Sequence, residues 1–335
     1  MTSLSEHTTL RVGGPVDEWI DVTTPQQLVD AVVDADAHGV PVLVLAGGSN
    51  LVAPDEGFRG RVVHVATRGI DHVEPELLRI AAGEPWDGVV AHAVAHGRAG
   101  IEALSGIPGL TGATPIQNVG AYGQDMSQVL VSLTALDRHS REVVVLTADQ
   151  CAFAYRTSAL KAAMPRWVVL DVTLGLRENT RNIVTYPELA RSLKIEVGHE
   201  APIAEIRDAV ITLRRSKGMV LDDSDHDTWS AGSFFTNPLV DATTAERFPA
   251  ECPRYPATQG VKLSAAWLIE AAGMSRGFWL APDARAAISS KHSLALVNLG
   301  EASANDILDL AAEVQRRVLK THHIALDVEP VVLSV

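Results

Sequence analysis

The sequence predicts a mixed α/β chain, and three observations carry that expectation. A strand, a well-capped helix and a second strand open the chain. Beyond them, short apolar runs rich in branched residues continue to alternate with stretches of helical periodicity. A long glycine-rich stretch, 100–123, interrupts this alternation. Loops of that length inside compact domains are usually functional.

The first helix is announced by Thr24-Pro25-Gln26-Gln27, which supplies an N-cap, a proline at the first helical position and a capping-box partner. Leu28, Val29, Val32, Val33 and Ala37 follow at helical spacing, and Gly39 stops it. The run Val40-Pro41-Val42-Leu43-Val44-Leu45-Ala46 reads as a buried strand that ends abruptly in Gly47-Gly48-Ser49-Asn50. Paired glycines allow a tight turn and close approach to a bulky ligand. Consecutive loop amides form a concave nest suited to a cofactor pyrophosphate. Ordinary turn chemistry produces the same four residues. Val62-Val63-His64-Val65 is a further strand, closing a first domain (1–68) to which the end of the chain, 324–335, can return.

A second domain, 69–215, continues with a strand at 77–82, a helix over 85–96 and Gly97 as its stop. After the glycine-rich stretch, strands resume at 130–136 and 142–146, and Thr147 with Gln150 forms a second capping box. Residues 167–174 are another strand. Ile203, Ile206, Val210 and Leu213 mark an amphipathic helix that ends in Arg214, Arg215 and Lys217. The acidic, aperiodic segment 221–227 reads as an interdomain connection. In the third domain, 216–323, helices are expected at 263–272 and 306–320, the latter capped by Ser303 and facing a core with Ile307, Leu310, Val314 and Val318. Short strands are expected at 293–298 and 331–333.

The chain has 335 residues, 47% of them hydrophobic, enough for a large core. A net charge of −13, from 41 acidic against 28 basic side chains, argues against a nucleic-acid-binding surface. The two cysteines, Cys151 and Cys252, form no C-x-x-C pattern, so neither a disulfide framework nor a zinc or other metal site is expected. No run approaches the roughly 18 apolar residues of a membrane span. The opening residues lack a basic region followed by an apolar segment. The expectation is a soluble, cytoplasmic monomer without membrane insertion.

Chemistry is concentrated in the long stretch, which reads Leu104-Ser105-Gly106-Ile107-Pro108-Gly109-Leu110-Thr111-Gly112-Ala113 and then Thr114-Pro115-Ile116-Gln117-Asn118-Val119-Gly120-Ala121-Tyr122-Gly123. Glycines and prolines fix the path, small residues leave room for a flat ligand, and Gln117, Asn118 and backbone amides can bond a ring edge or phosphates. An Ω-loop packed on its own side chains is the plain alternative. With the Ala46–Asn50 corner, the later Tyr155-Arg156 and Gly232-Ser233-Phe234-Phe235, these motifs occur in the order found in the UDP-N-acetylenolpyruvoylglucosamine reductase (MurB) family. The resemblance spans nearly the whole chain.

That resemblance implies a flavin-binding fold of the vanillyl-alcohol-oxidase (PCMH) type in two subdomains, followed by a C-terminal α+β substrate-binding domain. It implies noncovalent FAD, NADPH as co-substrate, and reduction of UDP-N-acetylglucosamine enolpyruvate to UDP-N-acetylmuramate in peptidoglycan precursor synthesis. Flavin contacts fall on Gly47, Gly48, Ser49, Asn50 and Leu51, and on Gly112, Ala113, Pro115, Ile116, Asn118, Gly120 and Ala121. Hydride addition to an alkene builds negative charge that needs a cation, a hydrogen-bonding group and a proton donor. Arg156, Glu329 and Ser233 match those family positions. Lys217 and Asn237 match diphosphate-binding positions, with Arg214 as a neighbour, and Tyr186 matches the tyrosine of a closing loop. Tyr122, Tyr155 and Tyr255 complete the expected substrate-binding residues.

Each has a plain reading as well. Arg156 can be a surface arginine, Ser233 a turn serine, and Arg214 and Lys217 partners of a helix C-terminus. Asp327 is a rival to Glu329. The chain differs from the family in having Pro330 after the glutamate and Pro282-Asp283-Ala284-Arg285 where glycines are common. A sugar or phenol oxidase of the same fold often tethers its flavin through a histidine near the first glycine loop, and none adjoins 47–50. A non-catalytic UDP-sugar-binding module has no need of the proton donor.

Overall fold

A computed structural model of the chain describes residues 2–257 and 260–333. The chain gathers into two compact units by passing between them in five alternating segments. One unit comprises Met1–Pro15, Gly48–Phe58 and Lys217–Val335; the other comprises Val16–Gly47 and Arg59–Ser216.

The second of these units is built on two sheets. In the smaller, Val16–Val22, Phe58–Val65 and Val42–Leu45 lie side by side in that order, the last two parallel with Val42 opposite Arg61. The helix Pro25–His38 connects Val16–Val22 to Val42–Leu45. Its capping box closes as expected, with Thr24 accepting from the Gln27 amide, and Gly39 ends it in the left-handed conformation. A good cap contributes about 1 kcal/mol. The larger sheet is antiparallel, in the order Glu142–Thr147, Leu130–Asp137, Trp167–Gly175, Leu77–Ala81 and Ile70–Glu74. Its central strand buries Val168, Val169, Leu170, Val172 and Leu174, whereas the edge strand leaves Val143 and Val145 exposed.

Leu28 and Val32 of the first helix pack with Val63, Leu136, Val168 and Leu170, so one core joins both sheets. A second core forms around Trp86, Val89, Val90, Leu104 and Leu133. A third gathers Val184, Leu189, Ile206 and Val210 between the helices Pro187–Leu193 and Ile203–Ser216. The short helix at 187–193 was not among the sequence expectations. Its signal is Pro187 at the first position, but seven residues are too few to display helical periodicity.

The other unit packs around the helix Ala304–His322, whose Ile307, Leu310, Val314 and Val318 are fully buried with Phe234, Phe235, Leu268 and Ile269. Ser303 and Asp306 form its capping box. The strand Val331–Val332 lies parallel to Leu51–Val52, pairing Val331 with Leu51. The acidic stretch 221–227 is folded onto this unit and does not run free as a connection. Lys291 Nζ donates to Asp225 at 2.5 Å, and Ser290 Oγ to Asp227 at 2.8 Å. The negative charges have local partners, which aperiodicity could not reveal. Among the described residues no helix is long and apolar enough to cross a membrane.

Candidate active site

In the second unit, the two glycine-rich segments meet. A Cβ added at Gly47 would lie 2.8 Å from the Gly109 Cα, and one at Gly112 would lie 2.6 Å from the Ala82 Cβ. In the other unit Gly48, at φ 56°, lies against the backbone of His7, where a Cβ would come within 2.0 Å of the carbonyl oxygen. Close packing of protein on protein therefore requires glycine at these three positions, a reason beyond the tight turn and ligand approach expected of Gly47 and Gly48. The loop itself is tied to the sheet. Gly112 N–H donates to the Ala82 carbonyl at 2.8 Å, Thr111 N–H to Glu84 at 2.9 Å, and Trp86 N–H to Gly109 at 3.0 Å.

Further along, Asn118 is 5% exposed and holds a positive φ of 46°. Its Nδ2 donates to the Ala154 carbonyl at 3.2 Å, and its Oδ1 accepts from Ser127 N–H at 3.0 Å. Ser158 Oγ donates to the Ile116 carbonyl at 2.5 Å. Arg156 Nη2 donates to the Gly120 carbonyl at 2.7 Å, with its guanidinium 5.7 Å from the Tyr155 ring. The structure thus brings Arg156 onto the same loop as the expected flavin contacts Asn118, Gly120 and Ala121. Arg156 also has positive φ, 55°. Such backbone in a non-glycine residue is uncommon, and it clusters at functional sites.

Tyr122 packs edge-on against Tyr186, ring centres 5.5 Å apart. Burial, outweighing the attraction of nearby Arg214, pushes the Tyr122 hydroxyl up to about 12. Arg214 is itself 8% exposed, and its Nε donates to the Gly106 carbonyl at 3.1 Å. Burial, with Arg156 adding repulsion, brings its guanidinium down to about 10 despite Tyr122 and Asp87. Tyr186 is the N-cap residue of the helix Pro187–Leu193, so it sits at a helix entrance and not in an open loop. Beside Tyr122 lies a cavity of about 420 Å³. In its wall Glu102 is fully buried and accepts from Gly100 N–H at 2.7 Å, Gln124 at 2.8 Å and Asn182 at 2.5 Å.

The other unit carries Ser49, Asn50, Leu51, Lys217, Ser233, Asn237, Tyr255 and Glu329. Glu329 N–H donates to the Phe234 carbonyl at 2.9 Å, and Thr236 N–H to Asp327 at 3.0 Å. Asn50 Nδ2 donates to the Glu329 carbonyl at 3.4 Å, and Val331 N–H to the Asn50 carbonyl at 2.9 Å. The Gly-Gly-Ser-Asn, Gly-Ser-Phe-Phe and Leu-Asp-Val-Glu motifs, far apart in sequence, are joined in one backbone network. Glu329 is half-buried there, whereas its rival Asp327 is exposed. Asn237 Oδ1 accepts from Ala265 N–H at 2.9 Å, at the start of the helix Ala265–Ala271. Tyr255 is half-buried in the strand Arg254–Pro256, and Lys217 is half-buried just after the Ile203–Ser216 helix.

The donor set fits a flavin. The stretch 104–123 carries no charged side chain, offering amides and small apolar groups to a flat ring system. Comparison with known proteins agrees. Residues 18–146 match the FAD binding domain family, and residues 223–333 match the C-terminal domain of UDP-N-acetylenolpyruvoylglucosamine reductase. The UDP-N-acetylenolpyruvoylglucosamine reductase of Saccharopolyspora erythraea is 50% identical over 99% of this chain and 95% of its own length. That of Thermobifida fusca is 48% identical over 99% of this chain and 97% of its own. The crystal structure of the Thermus caldophilus enzyme (MurB) is similar with a TM-score of 0.69 at 27% identity, covering 99% of this chain and 98% of that one. With both halves matched and half of all residues shared with a relative of nearly equal extent, this chain belongs to the UDP-N-acetylenolpyruvoylglucosamine reductase family.

Proposed function

We infer that this chain uses NADPH and bound FAD to reduce UDP-N-acetylglucosamine enolpyruvate to UDP-N-acetylmuramate, a step of peptidoglycan precursor synthesis. The observation that carries the inference is that about half of all residues, along nearly the whole chain, are shared with reductases of that name. When bound, the flavin supplies hydride transfer between the nicotinamide and the enolpyruvyl double bond.

The protein's task is to orient the alkene, stabilise charge and deliver a proton. Hydride addition at one alkene carbon leaves negative charge on its neighbour and the attached carboxylate. The Arg156 guanidinium is suited to stabilise that charge, and its hydrogen bond to the Gly120 carbonyl orients the fork. Ser233 Oγ–H is the proton donor of this reading, and Glu329 assists the enolate. Asn237 has its oxygen committed to Ala265, so the amide nitrogen is the group it turns to a diphosphate. Lys217 supplies a cation for the same diphosphate. Tyr186 closes over the nucleotide, Tyr122 and Tyr255 line the substrate channel, and Tyr155 and Arg214 complete the substrate-binding set of this reading.

The test is spectroscopic. The purified full-length protein, supplied with FAD, should show flavin absorbance that NADPH bleaches without oxygen and that UDP-N-acetylglucosamine enolpyruvate restores. A flavin reoxidised only by oxygen would support an oxidase instead. A protein that binds the UDP-sugar but takes up no flavin would be a binding module.

A further inference from the structure

Gly106 is the second residue of the Ser-Gly-Ile-Pro-Gly segment, and both its peptide groups are held from outside the loop. Its N–H donates to Asp87 Oδ1 at 2.6 Å, and its carbonyl accepts from Arg214 Nε at 3.1 Å. Asp87 stands in the first turn of the helix Trp86–Ala95 and is itself gripped by both Nη atoms of Arg207, at 2.7 and 2.8 Å. Arg207 and Arg214 are two turns apart on the helix Ile203–Ser216, so one face of that helix serves the peptide groups on both sides of Gly106. Burial raises the Asp87 carboxyl, yet Arg207, the Gly106 amide and Arg214 together keep it below its ordinary value, so it is ionised at neutral pH. A fork-on-carboxylate pair of this kind is geometrically rigid.

The same stretch of chain pins the loop twice more, through Trp86 N–H on Gly109 and Thr111 N–H on Glu84. Gly109 is the residue against which Gly47 packs. Meanwhile the apolar contacts of the two helices are made by Trp86, Val89 and Val90 on one and by Ile206 and Val210 on the other. The ion pair is therefore an addition to these cores, directed at one peptide of the loop.

We propose that Asp87 and Arg207 are positioning residues for the cofactor: the pair sets the Gly106 peptide, and through it the register in which 104–113 meets the flavin. This rests on the reading that 104–121 holds the flavin. The carboxylate is the working part. It alone accepts from Gly106 while Arg207 holds it in place.

Reconstitution of the full-length apoprotein with FAD, followed by quenching of flavin fluorescence, tests the proposal. Asp87→Ala, which removes the acceptor, should weaken FAD binding roughly tenfold to a hundredfold, since one decade corresponds to about 1.4 kcal/mol. Should that variant not fold, Arg207→Lys, which keeps the charge and loses the fork, reads the same shift. The exchanged pair, Asp87→Arg with Arg207→Asp, restores opposite charges but presents no acceptor to Gly106 N–H. It should regain thermal stability while FAD binding stays weak. FAD affinity within twofold of wild type in these variants, or affinity that recovers with stability in the exchanged pair, overturns the proposal. Wild-type protein that takes up no FAD overturns the flavin reading and this inference with it.

Discussion

The Glu329 amide donates to the Phe234 carbonyl at 2.9 Å, locking the residue after Ser233 to the segment that carries the C-terminal glutamate. An antiparallel bridge between Phe235 and Val328 extends the lock. Phe234 and Phe235 are 0% and 1% exposed, so two aromatic anchors hold the main chain beside Ser233. Its hydroxyl can be removed with the backbone left in place.

Ser233→Ala should accordingly leave flavin reduction by NADPH near the wild-type rate and slow reoxidation by the enolpyruvyl substrate. General acid catalysis is typically worth about 10²–10⁴ in rate. Stopped-flow traces at the flavin band separate the two half-reactions, and equal slowing of both would assign Ser233 a structural role.

Lys217→Ala and Tyr186→Ala should raise the substrate dissociation constant and leave flavin content unchanged. A charge-assisted phosphate contact contributes on the order of 1.5–3 kcal/mol, or roughly tenfold to a hundredfold in affinity. Loss of the Tyr186 ring also removes its edge contact with Tyr122, worth about 0.5–1.5 kcal/mol. Titration of the flavin absorbance with UDP-sugar reads both. Unchanged affinity in both variants would return Lys217 to a helix-end role.

The flavin should be held without a covalent bond, because no histidine neighbours Gly47–Asn50 in the sequence. Acid precipitation of the purified holoprotein should leave the yellow colour in the supernatant. Colour retained in the pellet contradicts this.

Acid should weaken the second unit through Asp137. Arg166 donates to its carboxylate at 2.8 and 2.5 Å, and this pairing holds the Asp137 carboxyl down at about 2. An unfolded aspartate titrates near 3.9. The folded value is depressed, so the contribution is present above about pH 4 and is lost as pH falls towards 2. Asp137→Asn should lower Tm at pH 6, and the gap from wild type should close between pH 4 and pH 2. A gap that stays constant across that range would show that the pair does not stabilise the fold.

Much of this architecture is local and hence legible in sequence. Thr24 with Gln27 and Ser303 with Asp306 cap their helices within a few residues, and Ile307, Leu310, Val314 and Val318 declare a buried face by spacing alone. The candidate site was legible as motifs but not as an assembly. Nothing in the order of residues tells that Asn50 bonds the Glu329 carbonyl, or that Asp87 meets Arg207. Asp87 is an ordinary acidic residue of a helix first turn, and its partner lies far along the chain. Gly47 and Gly48 announced a close approach, while the approaching atoms proved to be those of Gly109 and His7.

The pairing of Val331–Val332 with Leu51–Val52 dictates an order of events on the ribosome. The second unit has all its residues once Ser216 has emerged, so its sheets can close while synthesis continues. Its companion has no such freedom. Leu51 must wait, unpaired on that edge, for a strand made long after it, and non-local pairing of this kind is slow. Until Val331 emerges this short apolar edge is open to any other extended segment nearby, which leaves the nascent chain vulnerable to mispairing over that interval.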